Sequence, residues 1–159
     1  MRVTMVTVTV VEVPQRAPLA PYRSHLRASS TTQSAIVRVD TDAGITGWGE
    51  HNINFLPNIS ARRMEHDARS WLISRDPQNI SRFHQECPFE SRLKSGIELA
   101  LWDICGKSVG QPVAVLLGGI LRERVEVAAC MGIQSYERAK EMATWYVEQG
   151  FGTLKTKAG

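Results

Sequence analysis

Cysteine is scarce in this chain, and that scarcity limits what the chain can be. The 159 residues contain three cysteines, Cys87, Cys105 and Cys130, with no Cys-x-x-Cys pair. An odd number at wide spacings argues against a disulfide framework and a cysteine zinc site, and it indicates a reducing compartment. Because Cys105 and Cys130 lie in apolar stretches, we expect both to be small core residues rather than nucleophiles.

Long apolar runs and basic clusters are also missing. No segment approaches the roughly 20 apolar residues that span a bilayer. The stretch Met1–Val13 alternates valine with polar residues, unlike the continuous apolar core of a signal peptide. Net charge is only +3, and Arg62-Arg63 is the only basic doublet. These absences argue against a nucleic-acid or membrane partner and favour a cytoplasmic protein.

What remains is the composition of a globular protein with a core, 43% hydrophobic and 22% charged. Its first part predicts an antiparallel meander of three β-rich runs with a turn at Asp42-Ala43-Gly44. The three predicted strands are Val3–Val13, Gln33–Asp40 and Ile45–Glu50.

The first two strands are joined by an unusually long loop, Pro14–Thr32, and loops of this length are usually functional or disordered. An ordered loop of this composition could clamp a carboxylate, whereas the alternative is a solvated basic loop. Its candidate substrate-binding residues are Arg16, Tyr22, Arg23 and His25. A second candidate loop, His51–Pro57, adds Asn54.

Helices are predicted after the meander from caps, prolines and apolar stripes. The first runs from Asn58 or Ser60 to about Ser74, a short one starts at Asp76-Pro77, and the longest runs from Pro88 to about Ser108. The longest has an apolar stripe at spacings of three and four, which predicts a buried face. That stripe comprises Phe89, Leu93, Ile97, Ala100, Leu101 and Ile104.

The pattern then changes to strand, helix, strand. Arg124–Met131 predicts a strand, and a second strand leads into Lys155 and Lys157. Between them, Ser135–Gln149 predicts an amphipathic helix that ends at Gly150. Its predicted inward residues are Ala139, Met142, Ala143, Tyr146 and Val147. A βαβ unit has parallel strands, and functional groups of α/β barrels and open sheets lie at the carboxyl ends of such strands. We place the domain boundary between Gly118-Gly119 and Arg124.

The two lysines at the end of this strand are the strongest candidates for chemistry. Side chains of a strand alternate, so Lys155 and Lys157 share one face. Two neighbouring ammonium groups disfavour each other's charge, and burial adds to that effect, so such a pair can supply a neutral amine as a general base. The alternative is an ordinary solvated Lys-x-Lys pair.

Three motifs, in this order and spacing, carry a family resemblance. They are Gly44-Ile45-Thr46-Gly47-Trp48-Gly49-Glu50, the run from Gly96 to Lys107 that continues to Gly118-Gly119, and Lys155-Thr156-Lys157-Ala158-Gly159. The chain resembles the N-terminal part of the mandelate racemase and muconate lactonizing enzyme group of the enolase superfamily. The resemblance covers essentially the whole chain.

The resemblance implies a fold in two parts. Residues 1–119 would form an α+β capping domain, a three-stranded antiparallel meander followed by helices. Residues 120–159 would form the first βαβ unit of an α/β (β/α)-barrel. Such a barrel takes about 250 residues, so we expect this barrel to be incomplete and the chain to be the leading part of a longer enzyme.

The resemblance also implies a reaction. Lys157 would be the base that removes a proton α to a carboxylate, and Lys155 the neighbour that contacts the carboxylate. Mg²⁺ would stabilise the enolate, and its ligands are expected on later barrel strands, with none in this sequence. The polar loop favours a dehydratase or a racemase/epimerase acting on a small hydroxy, sugar or amino acid over a cycloisomerase.

A different class of function stays open. The chain could be a non-catalytic module that binds a partner or associates with itself, and a homo-oligomer is expected in either case. Phosphate binding by Gly44, Gly47 and Gly49 is rejected, because these glycines lie within a hairpin and its strand rather than in a strand-to-helix turn.

Overall fold

The computed structural model describes residues 1–54, 60–88 and 91–158. Our expectations for Pro57, Asn58, Phe89 and Gly159 lie outside these residues. The chain divides into two compact units. The first comprises Met1–Glu12 with Gln33–Leu121, and the second comprises Val13–Thr32 with the residues from Arg122 onward.

The first unit is built on the predicted antiparallel meander. Its strands are β1 (Val3–Pro14), β4 (Thr31–Thr41) and β5 (Thr46–Asn52), in the order β1-β4-β5. Gly44 makes the turn into β5 with a φ of 74°, a left-handed conformation that glycine adopts without strain. Val6 and Val8 of β1 are buried at alternate positions, as are Ala35, Val37 and Val39 of β4, so one face of the sheet carries the core.

Four helices follow, and the first three bury side chains in the core on that face. They are α1 (Ala61–Leu72), α2 (Ile80–Glu86), α3 (Ser91–Val109) and α4 (Val113–Leu116). Ser60 caps α1, its Oγ accepting the Arg63 N–H at 3.2 Å. From the predicted stripe of α3, the described side chains are all buried: Ile97, Ala100, Leu101 and Ile104.

The predicted start of the short helix was wrong. Asp76 Oδ1 accepts the Gln78 N–H at 3.0 Å, which closes a local turn rather than a helical one. The helix begins three residues later, where the Asn79 side chain accepts the Arg82 N–H at 3.2 Å. An aspartate before a proline can either cap a helix or close a local turn with its side chain, and in this chain it closes the turn.

Glycines bring α3 unusually close to β5. A Cβ on Gly49 would collide with the Gly96 carbonyl and lie 2.9 Å from the Ala100 nitrogen. A Cβ on Gly47 would lie 2.6 Å from Ile104 Cγ1. The glycine-rich motif therefore serves helix–sheet packing, since no side chain fits at this crossing.

The second unit contains two small sheets. The loop after β1 folds into an antiparallel hairpin of β2 (Tyr22–Arg23) and β3 (Ala28–Ser29), which the sequence did not predict. The predicted βαβ unit is present as β6 (Ala129–Met131), α5 (Tyr136–Glu148) and β7 (Leu154–Thr156), and its two strands are parallel as expected.

Three expectations for this unit were wrong. The predicted strand from Arg124 shrinks to β6, whose first rung is the Ala129 N–H bound to the Thr153 carbonyl at 2.9 Å. A strand persists only where a neighbour accepts its hydrogen bonds. Val147, predicted to face inward, is 61% exposed, and Cys130 is exposed rather than a core residue.

No helix among residues 1–54, 60–88 and 91–158 is long and apolar enough to cross a membrane.

Candidate functional site

The Lys-x-Lys pair lies at the carboxyl end of a parallel strand. Lys155 belongs to β7, and Lys157 follows its last residue. Leu154 packs against the core cluster formed by α5 and β6. Because strand side chains alternate, Lys155 and Lys157 lie on the face away from α5, and both are exposed.

The neighbouring strand supports this edge. The Lys157 N–H donates to the Met131 carbonyl at 3.1 Å, which continues the ladder beyond the last residue of β7. Cys130 is the register partner of Lys155, so its thiol shares the face of the lysines. Sequence reasoning missed the position of this thiol, because the apolar residues around Cys130 resemble a core stretch.

Tyr146 joins α5 to the same strand. Its hydroxyl donates to the Cys130 carbonyl at 3.2 Å. Burial raises the pKa of Tyr146, and the nearby Cys130 raises it further. The hydroxyl therefore stays protonated and remains a donor.

The hairpin loop contacts the carboxyl ends of both strands. The Arg23 carbonyl accepts the Ile133 N–H at 2.8 Å, just beyond β6. Gly132 permits this approach, since a Cβ there would lie 2.7 Å from the Arg23 carbonyl oxygen. Beyond β7, His25 Nε2 lies 3.0 Å from the Ala158 carbonyl oxygen.

The loop is ordered by its own backbone. The Arg16 carbonyl accepts the Leu19 N–H at 3.0 Å, and the Gln15 N–H donates to the Ser30 carbonyl at 2.7 Å. Tyr22 is half-buried, whereas the side chains of Arg16 and Arg23 are exposed. Four candidate substrate-binding residues thus share one compact unit with the lysine pair: Arg16, Tyr22, Arg23 and His25.

Asn54 is placed differently. It belongs to the first unit, where its Oδ1 accepts the Gln33 N–H at 2.7 Å and its own N–H donates to Asn52 Oδ1 at 3.0 Å. These bonds connect Gln33, just before β4 begins to pair with β5, to Asn52 at the end of β5. The observed contacts of Asn54 are therefore structural.

The carboxylates of the motifs also have structural partners. Glu50 accepts the Ser34 hydroxyl at 2.7 Å, and Asp103 accepts the Trp48 N–H at 2.9 Å. Among the residues that the structure describes, no group of three His, Cys, Asp or Glu side chains could hold a metal ion.

Comparison with known proteins agrees with this geometry. The N-succinyl-L-Arg/Lys racemase of Bacillus cereus is 29% identical across 100% of this chain, which corresponds to 45% of the racemase. A D-galactonate dehydratase of Xanthomonas oryzae is 33% identical over 75% of this chain and 33% of its own length. The chain thus spans less than half the length of these relatives.

Solved structures give the same result. The Bacillus cereus N-succinyl Arg/Lys racemase superposes with a TM-score of 0.88 at 28% identity, over 100% of this chain and 45% of the racemase. A dipeptide epimerase of Enterococcus faecalis, complexed with Mg and the dipeptide L-Leu-L-Tyr, has a TM-score of 0.86 at 26% identity, over 100% and 46%. The family model of the mandelate racemase / muconate lactonizing enzyme N-terminal domain matches residues 5–118. This chain therefore belongs to the mandelate racemase / muconate lactonizing enzyme family of the enolase superfamily, and it corresponds to the N-terminal part of the family's proteins.

Proposed function

We propose that the complete protein is a Mg²⁺-dependent enzyme that removes a proton α to a carboxylate and then racemises, epimerises or dehydrates its substrate. The observation that carries this proposal is the position of Lys155 and Lys157 at the carboxyl end of a parallel strand, on the face away from α5. The relatives, which are racemases, epimerases and dehydratases, support the reaction class.

The two lysines take different roles in this proposal. A proton α to a carboxylate is very weakly acidic, because its removal places a second negative charge on the anion. Lys157 in its amine form accepts the proton, and Lys155 contacts the substrate carboxylate.

The hairpin loop completes the carboxylate site. The exposed guanidinium groups of Arg16 and Arg23 are suited to bind a carboxylate through two parallel hydrogen bonds. Tyr22 offers a hydroxyl from the same hairpin. This polar lining fits a small hydroxy, sugar or amino acid substrate.

Magnesium enters the proposal from the relatives alone. The dipeptide epimerase of Enterococcus faecalis was crystallised with Mg, whereas the residues described in this chain do not provide its ligands. Bound Mg²⁺ would supply positive charge to the carboxylate as negative charge develops. We propose that its ligands lie on later barrel strands, as the family resemblance implies.

The domain organisation is proposed on the same basis. Residues 1–119 form the capping domain, and residues 120–159 form the first βαβ unit of a (β/α)-barrel. The exposure of both lysines fits this assignment, since a strand pair needs its remaining neighbours to enclose its inner face.

The proposal is tested by replacing the base in the complete protein. Lys157→Ala should lower Mg²⁺-dependent exchange of the substrate α-hydrogen with deuterated solvent by at least about 100-fold, the contribution of a general base. Proton NMR of a panel of hydroxy, sugar and N-acylated amino acids measures this exchange. Lys140→Ala, an exposed lysine on α5, is the matched control. Retained exchange in Lys157→Ala would place the base elsewhere.

A non-catalytic module remains the second candidate because the first unit exposes large apolar side chains. Trp48 is 49% exposed, Leu99 52% and Leu117 65%, and all three line one open groove. Under this alternative the protein associates with itself through such a surface. The α-proton exchange of the complete protein separates the candidates, and light scattering adds its oligomeric state. An oligomer without exchange would favour the non-catalytic module, whereas a monomer without exchange would contradict both.

A further inference from the structure

We infer that His25 is a positioning residue that holds the strand end carrying Lys157, rather than a substrate ligand. This inference rests on the proposed function, since it assigns Lys157 the role of base. The observation behind it is the contact between the imidazole of His25 and the main chain at Ala158, the residue directly after that lysine.

The chemistry of this contact defines which ring nitrogen of His25 carries the hydrogen. A carbonyl oxygen can only accept, so at 3.0 Å His25 Nε2 carries the hydrogen and donates it to Ala158. The donor nitrogen that faces the strand end is thereby occupied. A substrate carboxylate would have to compete with an existing intramolecular bond.

The hydrogen bond acts where the strand pairing ends. The last rung between β6 and β7 that the structure describes is the Lys157 N–H bound to the Met131 carbonyl at 3.1 Å. His25 then holds the Ala158 carbonyl, two peptide groups further along, from the side of the hairpin loop. Lys157 is thus fixed on both flanks of its backbone, which limits where its ammonium group can reach.

The hairpin loop can hold this peptide because it is itself held at the other strand. The Arg23 carbonyl accepts the Ile133 N–H at 2.8 Å, and the absence of a side chain at Gly132 lets the two backbones meet. His25 follows Arg23 by two residues. One hairpin therefore links the end of β6 to the end of β7 and sets the distance between them.

The test replaces His25 in the complete protein with one residue that keeps a hydrogen-bond donor and one that removes it. Glutamine places an N–H donor near the position of histidine Nε2, and phenylalanine keeps the ring without a donor. We expect His25→Phe to lower kcat about tenfold with KM within about twofold, because a base displaced by a fraction of an ångström loses rate rather than binding. His25→Gln should recover most of kcat. His66→Phe, an exposed histidine on α1, is the matched control.

A second measurement does not depend on activity. Hydrogen exchange followed by NMR should show the Lys157 amide exchanging about three- to tenfold faster in His25→Phe, the range expected for one lost hydrogen bond, and near wild-type in His25→Gln. Gly132→Ala displaces the loop at its contact with Ile133, and it should also speed the hydrogen exchange of the Lys157 amide.

Two results would overturn the inference. One is unchanged exchange of the Lys157 amide in His25→Phe. The other is a raised KM at unchanged kcat, which would make His25 a substrate ligand. Failure of the proposed function is recognised separately, since Lys157→Ala would then stay active while the amide exchange still responds to His25.

Discussion

Tyr146 shows how one side chain can connect a helix to a functional strand edge. It is 7% exposed, packs edge-on against Phe151 at 5.6 Å between ring centroids, and donates its hydroxyl to the Cys130 carbonyl. Cys130 is the register partner of Lys155. A helix residue thus supports the strand pair whose other face carries the lysines.

Removing that hydroxyl should weaken this unit measurably. Tyr146→Phe should lower the free energy of unfolding by about 1 kcal/mol, because the Cys130 carbonyl loses its donor within a buried contact. Urea unfolding followed by tryptophan fluorescence measures the change. Tyr136→Phe is the matched control, since Tyr136 is 78% exposed on the same helix. Equal losses in the two variants would contradict the structural role.

The same tyrosine predicts a pH effect with a definite sign. Burial raises its pKa in the folded state, so its contribution to stability is complete below the ordinary tyrosine pKa of about 10. That contribution is lost as pH rises through the raised folded-state value. Alkaline unfolding of Tyr146→Phe should lack this component.

At the scale of elements, the crossing of α3 and β5 sets the architecture of the first unit. Gly47 and Gly49 on the strand face Gly96, Ala100 and Ile104 on the helix, with no space for a side chain at either strand position. Two hydrogen bonds also connect β5 to α3. The Trp48 N–H donates to Asp103 Oδ2 at 2.9 Å, and Lys107 Nζ donates to the Thr46 carbonyl at 2.8 Å. Close packing and edge hydrogen bonds act together here.

A single methyl group should be enough to disturb this crossing. Gly49→Ala should lower the free energy of unfolding by about 2 kcal/mol or more, because the new Cβ would meet the helix backbone rather than a side chain that could move. Gly152→Ala is the matched control, since nothing lies within 4 Å of its added Cβ. Circular dichroism during thermal unfolding measures both. A stable Gly49→Ala variant would show that α3 can shift away.

At the scale of the whole molecule, the chain carries only part of what the proposed function requires. It presents the candidate base and an ordered loop, but the described residues include no cluster of metal ligands. It also spans 45% of the Bacillus cereus racemase that it matches end to end. Under the proposed function, proton removal also needs a group of metal ligands, which the described residues do not bring together.

That division predicts a difference in metal binding. Titration calorimetry of a polypeptide limited to residues 1–159 should show no saturable Mg²⁺ binding at millimolar concentrations, whereas the complete protein should bind Mg²⁺ and release it to EDTA. The physical reason is that Mg²⁺ needs oxygen ligands in near-octahedral geometry, which scattered surface carboxylates do not provide. Tight binding by residues 1–159 would reveal a site outside the expected pattern.

Several properties of this protein follow from the order of its residues alone. Alternating valines predict the meander, helical spacing predicts the buried face of α3, and strand-helix-strand order predicts the parallel pair β6 and β7. All three are confirmed, because each depends on a local period that the backbone imposes on neighbouring residues. The family resemblance, carried by motifs in a fixed order, is confirmed as well.

Other features were decided only when distant segments met. The exposure of Cys130, the shortened β6 and the hairpin within Pro14–Thr32 depend on which partner each backbone group finds. The contacts of Gly132 with Arg23 and of His25 with Ala158 join residues more than 100 positions apart. Local propensity contains no information on such pairs, since their geometry exists only after the chain has closed the loops between them.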